Sequence, residues 1–243
     1  MSAALATASS SRCIELREFL SPQALAAALA HTVAAKLQSA LHLREQAVLA
    51  VSGGTTPVLF LRELARQPLD WTQVIITLVD ERWVPLAHPR SNEGALRTAL
   101  QGHPAAAARI VSLYNGAATP EDAMPAIEAR IAALPPFDAV VLGMGTDGHT
   151  ASFFADGDRL AAALDPQACA SVASIRSASA GEPRITLTLS RLVDARALYL
   201  HIEGEAKLEV LEQALGGDDA GVQYPIRAVL MQTRSPLVAY WCP

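Results

Sequence analysis

The anion loop, residues 52–57 (SGGTTP), has the residue types of a phosphate-binding turn. Its two glycines allow a tight turn that brings backbone N–H groups close to a ligand, and its two threonines offer hydroxyls. Pro57 suits the first turn of a following helix, whose N-terminus carries partial positive charge. The loop therefore predicts a phosphate site, although a plain strand-to-helix turn has the same residue types. No Gly-Lys-Ser/Thr follows, so the nucleotide-binding P-loop is excluded.

The histidine turn, residues 143–150 (GMGTDGHT), places His149 two residues after Asp147. A histidine can accept a proton from water at neutral pH, and a nearby carboxylate can orient its ring or stabilise its charged form. The pair indicates an active-site turn with a general base. Alternatively, His149 caps a helix and Asp147 bonds turn N–H groups. The formal G-x-G-x-x-G pattern also permits a dinucleotide site, which is disfavoured because Asp165, the acidic residue about 20 positions later, is not at a strand end.

Three basic residues are candidates for the same site. Arg82 follows an acidic pair after an apolar run, and Arg184 begins the alternating segment 184–188 (RITLT). Lys207 lies in the first turn of a predicted helix, where a positive charge opposes the helix dipole unless an anion compensates it. Each of the three is also consistent with a solvated charge or a surface ion pair. The residues by themselves therefore leave their roles open.

The elements that must position these residues alternate between strand and helix. This alternation predicts an α/β fold, a modified doubly wound, mainly parallel sheet with helices on both faces. Ligands bind beyond the carboxyl ends of the strands in such sheets, so polar clusters at strand ends are expected to meet in one site. These clusters are residues 52–56, 80–82 and 145–150. One domain over residues 1–243 is expected, with a flexible N-terminus at 1–13.

Hydrophobic periodicity and the residues that start or stop helices give approximate bounds for the elements. The predicted strands are 46–51, 74–79, 110–113, 138–143, 170–175, 184–188, 197–202 and 237–241. The predicted helices are 22–43, 57–66, 92–100, 120–134 and 205–215, and residues 216–221 are predicted as a loop.

The composition is that of an ordinary globular protein, with 51% hydrophobic and 18% charged residues. The net charge of −5 and the scattered basic residues argue against a nucleic-acid partner. Three widely spaced cysteines fit neither a disulfide framework nor a zinc site, and no His/Asp cluster has metal-ligand spacing. No signal peptide and no apolar run of ~18 residues is visible, so a cytoplasmic protein without a membrane partner is expected. The oligomeric state is open, with a monomer favoured.

The polar segments together resemble the 6-phosphogluconolactonases, and the resemblance extends from about residue 15 to the C-terminus. Each segment alone is moderately specific, whereas the ordered set is highly specific. The matching segments are 52–57 (SGGTTP), 80–85 (DERWVP), 91–92 (SN), 142–152 (LGMGTDGHTAS), 184–188 (RITLT) and 204–207 (GEAK). One departure is Ala155, where the family usually has a proline, which bears on the shape of that loop.

The resemblance implies hydrolysis of 6-phosphoglucono-δ-lactone, a phosphorylated sugar lactone, in the oxidative pentose phosphate pathway, without a metal or organic cofactor. It also implies a fold akin to that of glucosamine-6-phosphate deaminase. His149 is implied as the water-activating base, with Asp147 beside it. The implied substrate-binding residues are Ser52, Gly53, Gly54, Thr55, Thr56, Arg82, Arg184 and Lys207. Residues 151–155 lack the glutamate that related deaminases carry after their histidine, and a Gly-x-Ser-x-Gly elbow is absent, which favours a lactonase over a deaminase or a serine hydrolase.

Overall fold

The computed structural model describes residues 2–6, 13–216, 221–232 and 237–243, with side chains from Ile14 onward. Eleven strands and eight helices lie within these ranges. The strands are β1 (Ser2–Ala6), β2 (Cys13–Glu18), β3 (Ala47–Val51), β4 (Val74–Leu78), β5 (Asp80–Arg82), β6 (Arg109–Val111), β7 (Ala139–Leu142), β8 (Val172–Ile175), β9 (Arg184–Leu187), β10 (Leu198–Glu203) and β11 (Leu237–Cys242). The helices are α1 (Pro22–Arg44), α2 (Val58–Ala65), α3 (Asn92–Leu100), α4 (Pro120–Ala132), α5 (Leu160–Ala163), α6 (Leu189–Val193), α7 (Glu205–Gly216) and α8 (Ile226–Met231).

Eight of the strands form the main sheet, in the order β1-β2-β11-β10-β7-β3-β4-β6. Neighbouring strands are parallel throughout, except for the antiparallel pair β1 and β2. All five residues of β3 and of β4 are buried, as expected of strands covered on both faces. The doubly wound, mainly parallel α/β fold predicted from the alternation of elements is therefore confirmed.

The strands β5, β9 and β8 form a separate antiparallel sheet that the sequence analysis did not predict. Residues 80–82 were expected to be a polar cluster at the end of strand 74–79, and they form the separate strand β5. The chain leaves the main sheet after β4, and β5 then pairs with β9. This second sheet satisfies backbone groups that would otherwise be unpaired at a buried strand end, and it makes Arg82 the register partner of Arg184.

Helix α3 has the predicted bounds because a serine caps it. The Oγ atom of Ser91 accepts the N–H of Gly94 at 3.0 Å, which satisfies one of the free donors of the first turn. The elements β1, β2, α5, α6 and α8 were not predicted. In β2, however, buried Ile14 and Leu16 alternate with more exposed Glu15 and Arg17, a strand pattern that the sequence already carries.

Helix α1 is long and apolar enough to cross a membrane, with a mean hydropathy of 1.2 over an 18-residue window. No uninterrupted apolar run of ~18 residues exists in the sequence, so this helix was not expected to meet the criterion. Length and composition alone are weak grounds for a membrane span, because the core helix of a globular protein meets the same criterion. Leu25, Leu29, Val33 and Leu37 are fully buried at four-residue spacing, and α1 packs against β3, β7 and β11.

Two predictions fall partly on residues outside the described ranges. Of the predicted flexible segment 1–13, residues 1 and 7–12 lie outside them, while Ser2–Ala6 forms β1. Of the predicted loop 216–221, residues 217–220 lie outside them, while Gly216 ends α7. The flexible terminus, this loop and the single domain stay predictions.

Candidate active site

The carboxyl ends of β3, β7 and β10 open into one cavity of about 230 Å³. These strands are neighbours in the sheet, so the polar segments that follow them are brought together, as expected of a parallel sheet. The anion loop lines one wall and the histidine turn lines another. Further lining residues are Asp80, Arg82, Asn92, Ala151, His201 and Lys207.

The anion loop presents unpaired backbone donors at the start of α2. The N–H groups of residues 53–56 have no acceptor within the part of the chain that the structure describes. Gly54 has φ +91°, and a Cβ on Gly53 would lie 2.1 Å from the side chain of Asn92, so both positions require glycine. Pro57 precedes the first residue of α2, and no side chain caps that helix. Free N–H groups at a helix N-terminus favour an anion.

Ser52 ties the two walls of the cavity together. Its Oγ accepts the N–H of Gly143 at 2.7 Å and donates to the carbonyl of Val141 at 3.2 Å. The hydroxyl is therefore engaged within the protein, although the residue lines the cavity. Ser52 sets the distance between the anion loop and the histidine turn, and its hydroxyl offers little to a ligand.

His149 is held by its neighbouring carboxylate. Its Nδ1 lies 2.5 Å from Oδ1 of Asp147, and the same oxygen accepts the His149 backbone N–H at 3.2 Å. The bond to the His149 side chain is the main cause that lowers the pKa of Asp147. Because Nδ1 faces a carboxylate, the neutral ring carries its proton there and leaves the Nε2 lone pair free. This arrangement suits a general base.

Tight packing around the imidazole fixes its orientation. Its ring stacks on Phe154 with the centroids 4.7 Å apart and the planes at 29°. A Cβ on Gly145 would approach Nδ1 of His149 to 2.3 Å, so only glycine fits there. Ala151, which follows the histidine turn and lines the cavity, has φ +48°, an uncommon value for a residue other than glycine. Strained backbone of this kind is concentrated at functional sites.

Lys207 and His201 close the cavity on the side of β10. The Nζ atom of Lys207 lies 3.4 Å from Oγ1 of Thr56 in the anion loop. Burial lowers the pKa of Lys207, and the negative charge of Glu203 opposes that shift. His201 is 2% exposed, and its Nε2 lies 3.0 Å from Oε1 of Glu203. The cavity thus contains a partly desolvated cation next to unpaired backbone donors.

The two predicted arginines are placed differently. Arg82 lines the cavity and donates from NH1 to the carbonyl of Arg90 at 2.7 Å. Arg184 is 4% exposed, donates from NH2 to the carbonyl of Ala180 at 2.8 Å, and does not belong to the cavity lining. Its guanidinium lies 5.8 Å from the ring centroid of Phe154, on which His149 stacks. Burial lowers the pKa of Arg184.

The acidic residues of β5 have structural partners. Glu81 is 1% exposed, and its carboxylate accepts the N–H groups of Asn92 and Glu93 at 2.8 Å and 2.7 Å, which anchors the first turn of α3. Burial is the main cause that raises the pKa of Glu81. Asp80 accepts the hydroxyl of Ser152 at 2.6 Å. Within the described ranges, no group of three or more His, Cys, Asp or Glu side chains is placed to hold a metal ion.

Residues 20–239 match the family model described as glucosamine-6-phosphate isomerases/6-phosphogluconolactonase. The chain belongs to this family. A 6-phosphogluconolactonase of Rhizobium meliloti (strain 1021) is 52% identical over 227 residues, which cover 93% of this chain and 97% of that protein. A Pseudomonas putida 6-phosphogluconolactonase is 41% identical over 230 residues, covering 95% and 93%.

Solved structures of the family have the same fold. A 6-phosphogluconolactonase crystal structure from Shewanella baltica OS155 matches with a TM-score of 0.89 and 40% identity, over 94% of this chain and 97% of that one. A monomeric glucosamine-6-phosphate deaminase matches with a TM-score of 0.75 at 17% identity, over 93% and 96%, which shows the shared fold alone.

Most residues that the family resemblance pointed to meet in the cavity, with two exceptions. Arg184 lies against Phe154 outside the cavity lining, and Asp147, which is also outside it, contacts His149, which lines the cavity. Sequence reasoning missed His201 and Asn92 as lining residues. A single histidine within the apolar run of β10 gives no signal that separates it from a core residue, whereas Asn92 belongs to one of the matching segments.

Proposed function

We propose that this protein hydrolyses 6-phosphoglucono-δ-lactone to 6-phosphogluconate, with His149 as the general base. The observation that supports this proposal most strongly is the placement of the Asp147–His149 pair. Its imidazole keeps one nitrogen free at a cavity whose opposite wall carries the unpaired donors of the anion loop. Membership of the family and the names of relatives at 41–52% identity support the same reaction.

In the first step, His149 Nε2 removes a proton from a water molecule as the water oxygen attacks the lactone carbonyl carbon. The carbonyl π electrons move to its oxygen and form a tetrahedral oxyanion. Asp147 stabilises the imidazolium that results, since its Oδ1 already contacts Nδ1. In the second step, the oxyanion collapses, the bond to the ring oxygen breaks, and the imidazolium returns its proton to that oxygen. The carboxylic acid product then ionises and releases one proton.

The oxyanion needs donors, and four of the eight N–H groups of the histidine turn cannot supply them. The N–H groups of Gly143, Gly145, Gly148 and His149 already donate to acceptors within the protein. Within this turn, the candidate donors to the oxyanion are therefore the remaining N–H groups, such as that of Met144, which lines the cavity. Arg82 is the cation on the same cavity that we assign to the developing negative charge.

The phosphate group is assigned to the anion loop and Lys207. Four unpaired N–H groups, the N-terminus of α2 and the Lys207 ammonium converge there. With a net charge of −5, the protein as a whole does not attract anions, so this local cluster must do so. Anchoring the far end of the substrate holds its carbonyl near His149 and lowers the entropic part of the barrier.

The test is a hydrolysis assay with freshly generated 6-phosphoglucono-δ-lactone, followed by proton release in weak buffer and corrected for spontaneous hydrolysis. We expect enzyme-dependent acceleration, and a lower kcat/KM on unphosphorylated glucono-δ-lactone. Ammonia release from glucosamine 6-phosphate is measured in parallel as the control for the deaminase reaction. No acceleration of lactone hydrolysis, or ammonia release in its place, would refute the proposal.

A further inference from the structure

The end of β10 holds a histidine–carboxylate pair that the reaction steps above do not use. His201 is 2% exposed, lines the cavity, and directs Nε2 to Oε1 of Glu203 at 3.0 Å. Its other ring nitrogen, Nδ1, is buried and has no hydrogen-bond partner among the described residues. The contact with Glu203 is therefore the single polar link of this imidazole within them.

Burial keeps the His201 imidazole neutral. Desolvation first, and the positive charge of Lys207 second, lower the pKa of His201 to about 4. At pH 7 the ring thus carries one proton, which belongs on the nitrogen that faces a carboxylate. A neutral imidazole that donates from Nε2 fixes the carboxylate of Glu203 without adding charge to the cavity.

The charge of Glu203 also acts on Lys207, which follows it across the turn from β10 into α7. Burial lowers the pKa of Lys207 and the Glu203 charge raises it, so the carboxylate opposes the loss of the ammonium proton. Burial also raises the pKa of Glu203, and Lys207 opposes that shift. Cys242 on β11 is the register partner of Glu203, and burial together with the Glu203 charge raises the pKa of its thiol. The thiol is therefore neutral and does not compete as a second anion.

The turn from β10 into α7 fixes the spacing of these groups. Gly204 has φ +90°, its N–H donates to the carbonyl of Cys242 at 2.8 Å, and its carbonyl accepts the indole N–H of Trp241 at 3.1 Å. Phe60 of α2 meets the His201 ring edge-on, with the centroids 6.3 Å apart. Backbone and ring packing thus hold the histidine and the carboxylate in one arrangement.

We propose that His201 is a positioning residue for substrate binding. Its Nε2–H holds the Glu203 carboxylate at the end of β10, and the charge of that carboxylate stabilises the Lys207 ammonium, which lies beside Thr56 of the anion loop. The inference rests on the proposed function for the identity of the anion, a sugar phosphate. The coupling among His201, Glu203 and Lys207 does not depend on that function, so it can be measured without substrate.

Lys36 and Lys207 are the two lysines of the sequence, which makes the coupling measurable by NMR of lysine-labelled protein. Lys36 on α1 serves as the internal control, and Lys36→Arg assigns the two signals. We expect His201→Leu and Glu203→Gln each to lower the pKa of Lys207 by about half a unit or more, because the carboxylate is displaced or neutralised. His201→Gln should leave it near the wild-type value, since its amide can still donate to Glu203. The Lys36 signal should stay unchanged.

Affinity for 6-phosphogluconate at pH 7, measured by calorimetry, is the second readout. We expect His201→Leu to weaken binding about tenfold, because it removes the charge-assisted hydrogen bond to Glu203. His201→Gln should weaken binding by less than about threefold, because its amide retains that hydrogen bond. Tyr199→Leu is the control for lost packing, because Tyr199 is buried on the same strand outside the cavity lining, and it should retain affinity.

An unchanged pKa of Lys207 in both His201→Leu and Glu203→Gln would overturn the inference. Equal losses of affinity in His201→Gln and His201→Leu would also overturn it, since the donated hydrogen bond would then be irrelevant. A wild-type protein that lacks lactonase activity but shows the expected lysine shifts would refute the proposed function and support this coupling.

Discussion

Two histidine–carboxylate pairs border the same cavity. In each pair the carboxylate and the histidine are two positions apart in the sequence. The pairs differ in burial and in the imidazole nitrogen that contacts the carboxylate. In the Asp147–His149 pair the side chains are 56% and 34% exposed, and the contact runs through Nδ1 at 2.5 Å. In the His201–Glu203 pair they are 2% and 25% exposed, and the contact runs through Nε2 at 3.0 Å.

The difference determines what each imidazole can do. A bond at Nδ1 leaves Nε2, the nitrogen at the tip of the ring, free to take a proton from water. A bond at Nε2 leaves only Nδ1, which in His201 is buried and has no partner among the residues that the structure describes. Burial further disfavours the charged form that a base must adopt. We therefore assign proton transfer to His149 and positioning to His201.

The largest expected effect is the loss of kcat in His149→Ala. This change removes the general base, so kcat should fall about 10²–10⁴-fold while KM changes little. Steady-state kinetics on 6-phosphoglucono-δ-lactone measure both parameters, with His42→Ala on the surface of α1 as the matched control. A kcat near the wild-type value would contradict the assignment.

The next largest expected effect is on the pH dependence of the free energy of unfolding. It arises from His201 in the buried His201–Glu203 pair. An unfolded histidine titrates near 6.5, whereas the pKa of His201 in the folded chain is about 4. Between these values the unfolded state binds more protons, so the free energy of unfolding falls as pH falls. The loss from this group approaches ~3 kcal/mol over the whole window and ~2 kcal/mol by pH 5.

Urea unfolding of the wild type and His201→Gln at pH 7 and pH 5 checks this expectation. The variant lacks the titrating group, so the stability difference between the two proteins should shift in favour of the variant at pH 5. A constant difference at the two pH values would show that His201 does not titrate with a lowered pKa.

Lys207→Ala should act on binding. It removes a charged donor beside the anion loop, and charge-assisted hydrogen bonds contribute about 1.5–3 kcal/mol, so KM for the phosphorylated lactone should rise by at least tenfold. Unphosphorylated glucono-δ-lactone is the matched substrate, on which the effect should be small. Arg184→Ala is measured in the same assay to test the buried arginine. A rise in KM that is confined to the phosphorylated lactone would support the predicted contact of Arg184 with substrate. An equal loss in Lys207→Ala on both lactones would argue against phosphate binding by Lys207.

The smallest expected effect is that of Asp147→Asn. More than half of the Asp147 side chain is exposed, and solvent weakens an exposed ion pair to about 1 kcal/mol or less. We expect kcat to fall about fivefold or less, with Asp122→Asn on the surface of α4 as the control. A loss as large as that in His149→Ala would show that the carboxylate acts in a desolvated site once substrate is bound.

The polar clusters that the sequence places at strand ends line one cavity in the structure. Glycines, threonines and polar clusters after apolar runs marked the anion loop and the histidine turn, because a parallel sheet brings successive carboxyl ends to one edge. His201 was missed because its neighbours Leu200 and Ile202 are core residues, and the run gives no local sign of a cavity. Its role follows only from the turn at Gly204, which brings α7 back over the strand end.

The second sheet, formed by β5, β9 and β8, could not be predicted from the local sequence either. Residues 80–82 are too few to show a strand period, and their register partners, residues 184–186, lie about a hundred residues away along the chain. Such pairing depends on tertiary structure rather than on propensity. Arg184 illustrates the consequence. The predicted strand 184–188 corresponds to β9, yet the burial of its first residue next to Phe154 had no sequence signal.

The most direct test of the two roles is one kinetic comparison on 6-phosphoglucono-δ-lactone. The kcat and KM of His149→Ala and His201→Leu are measured side by side with the wild type, with folding verified by circular dichroism. We predict that His149→Ala loses kcat at nearly constant KM, and that His201→Leu raises KM at nearly constant kcat. A loss of kcat in His201→Leu that matches the loss in His149→Ala would contradict the division of labour between the two pairs.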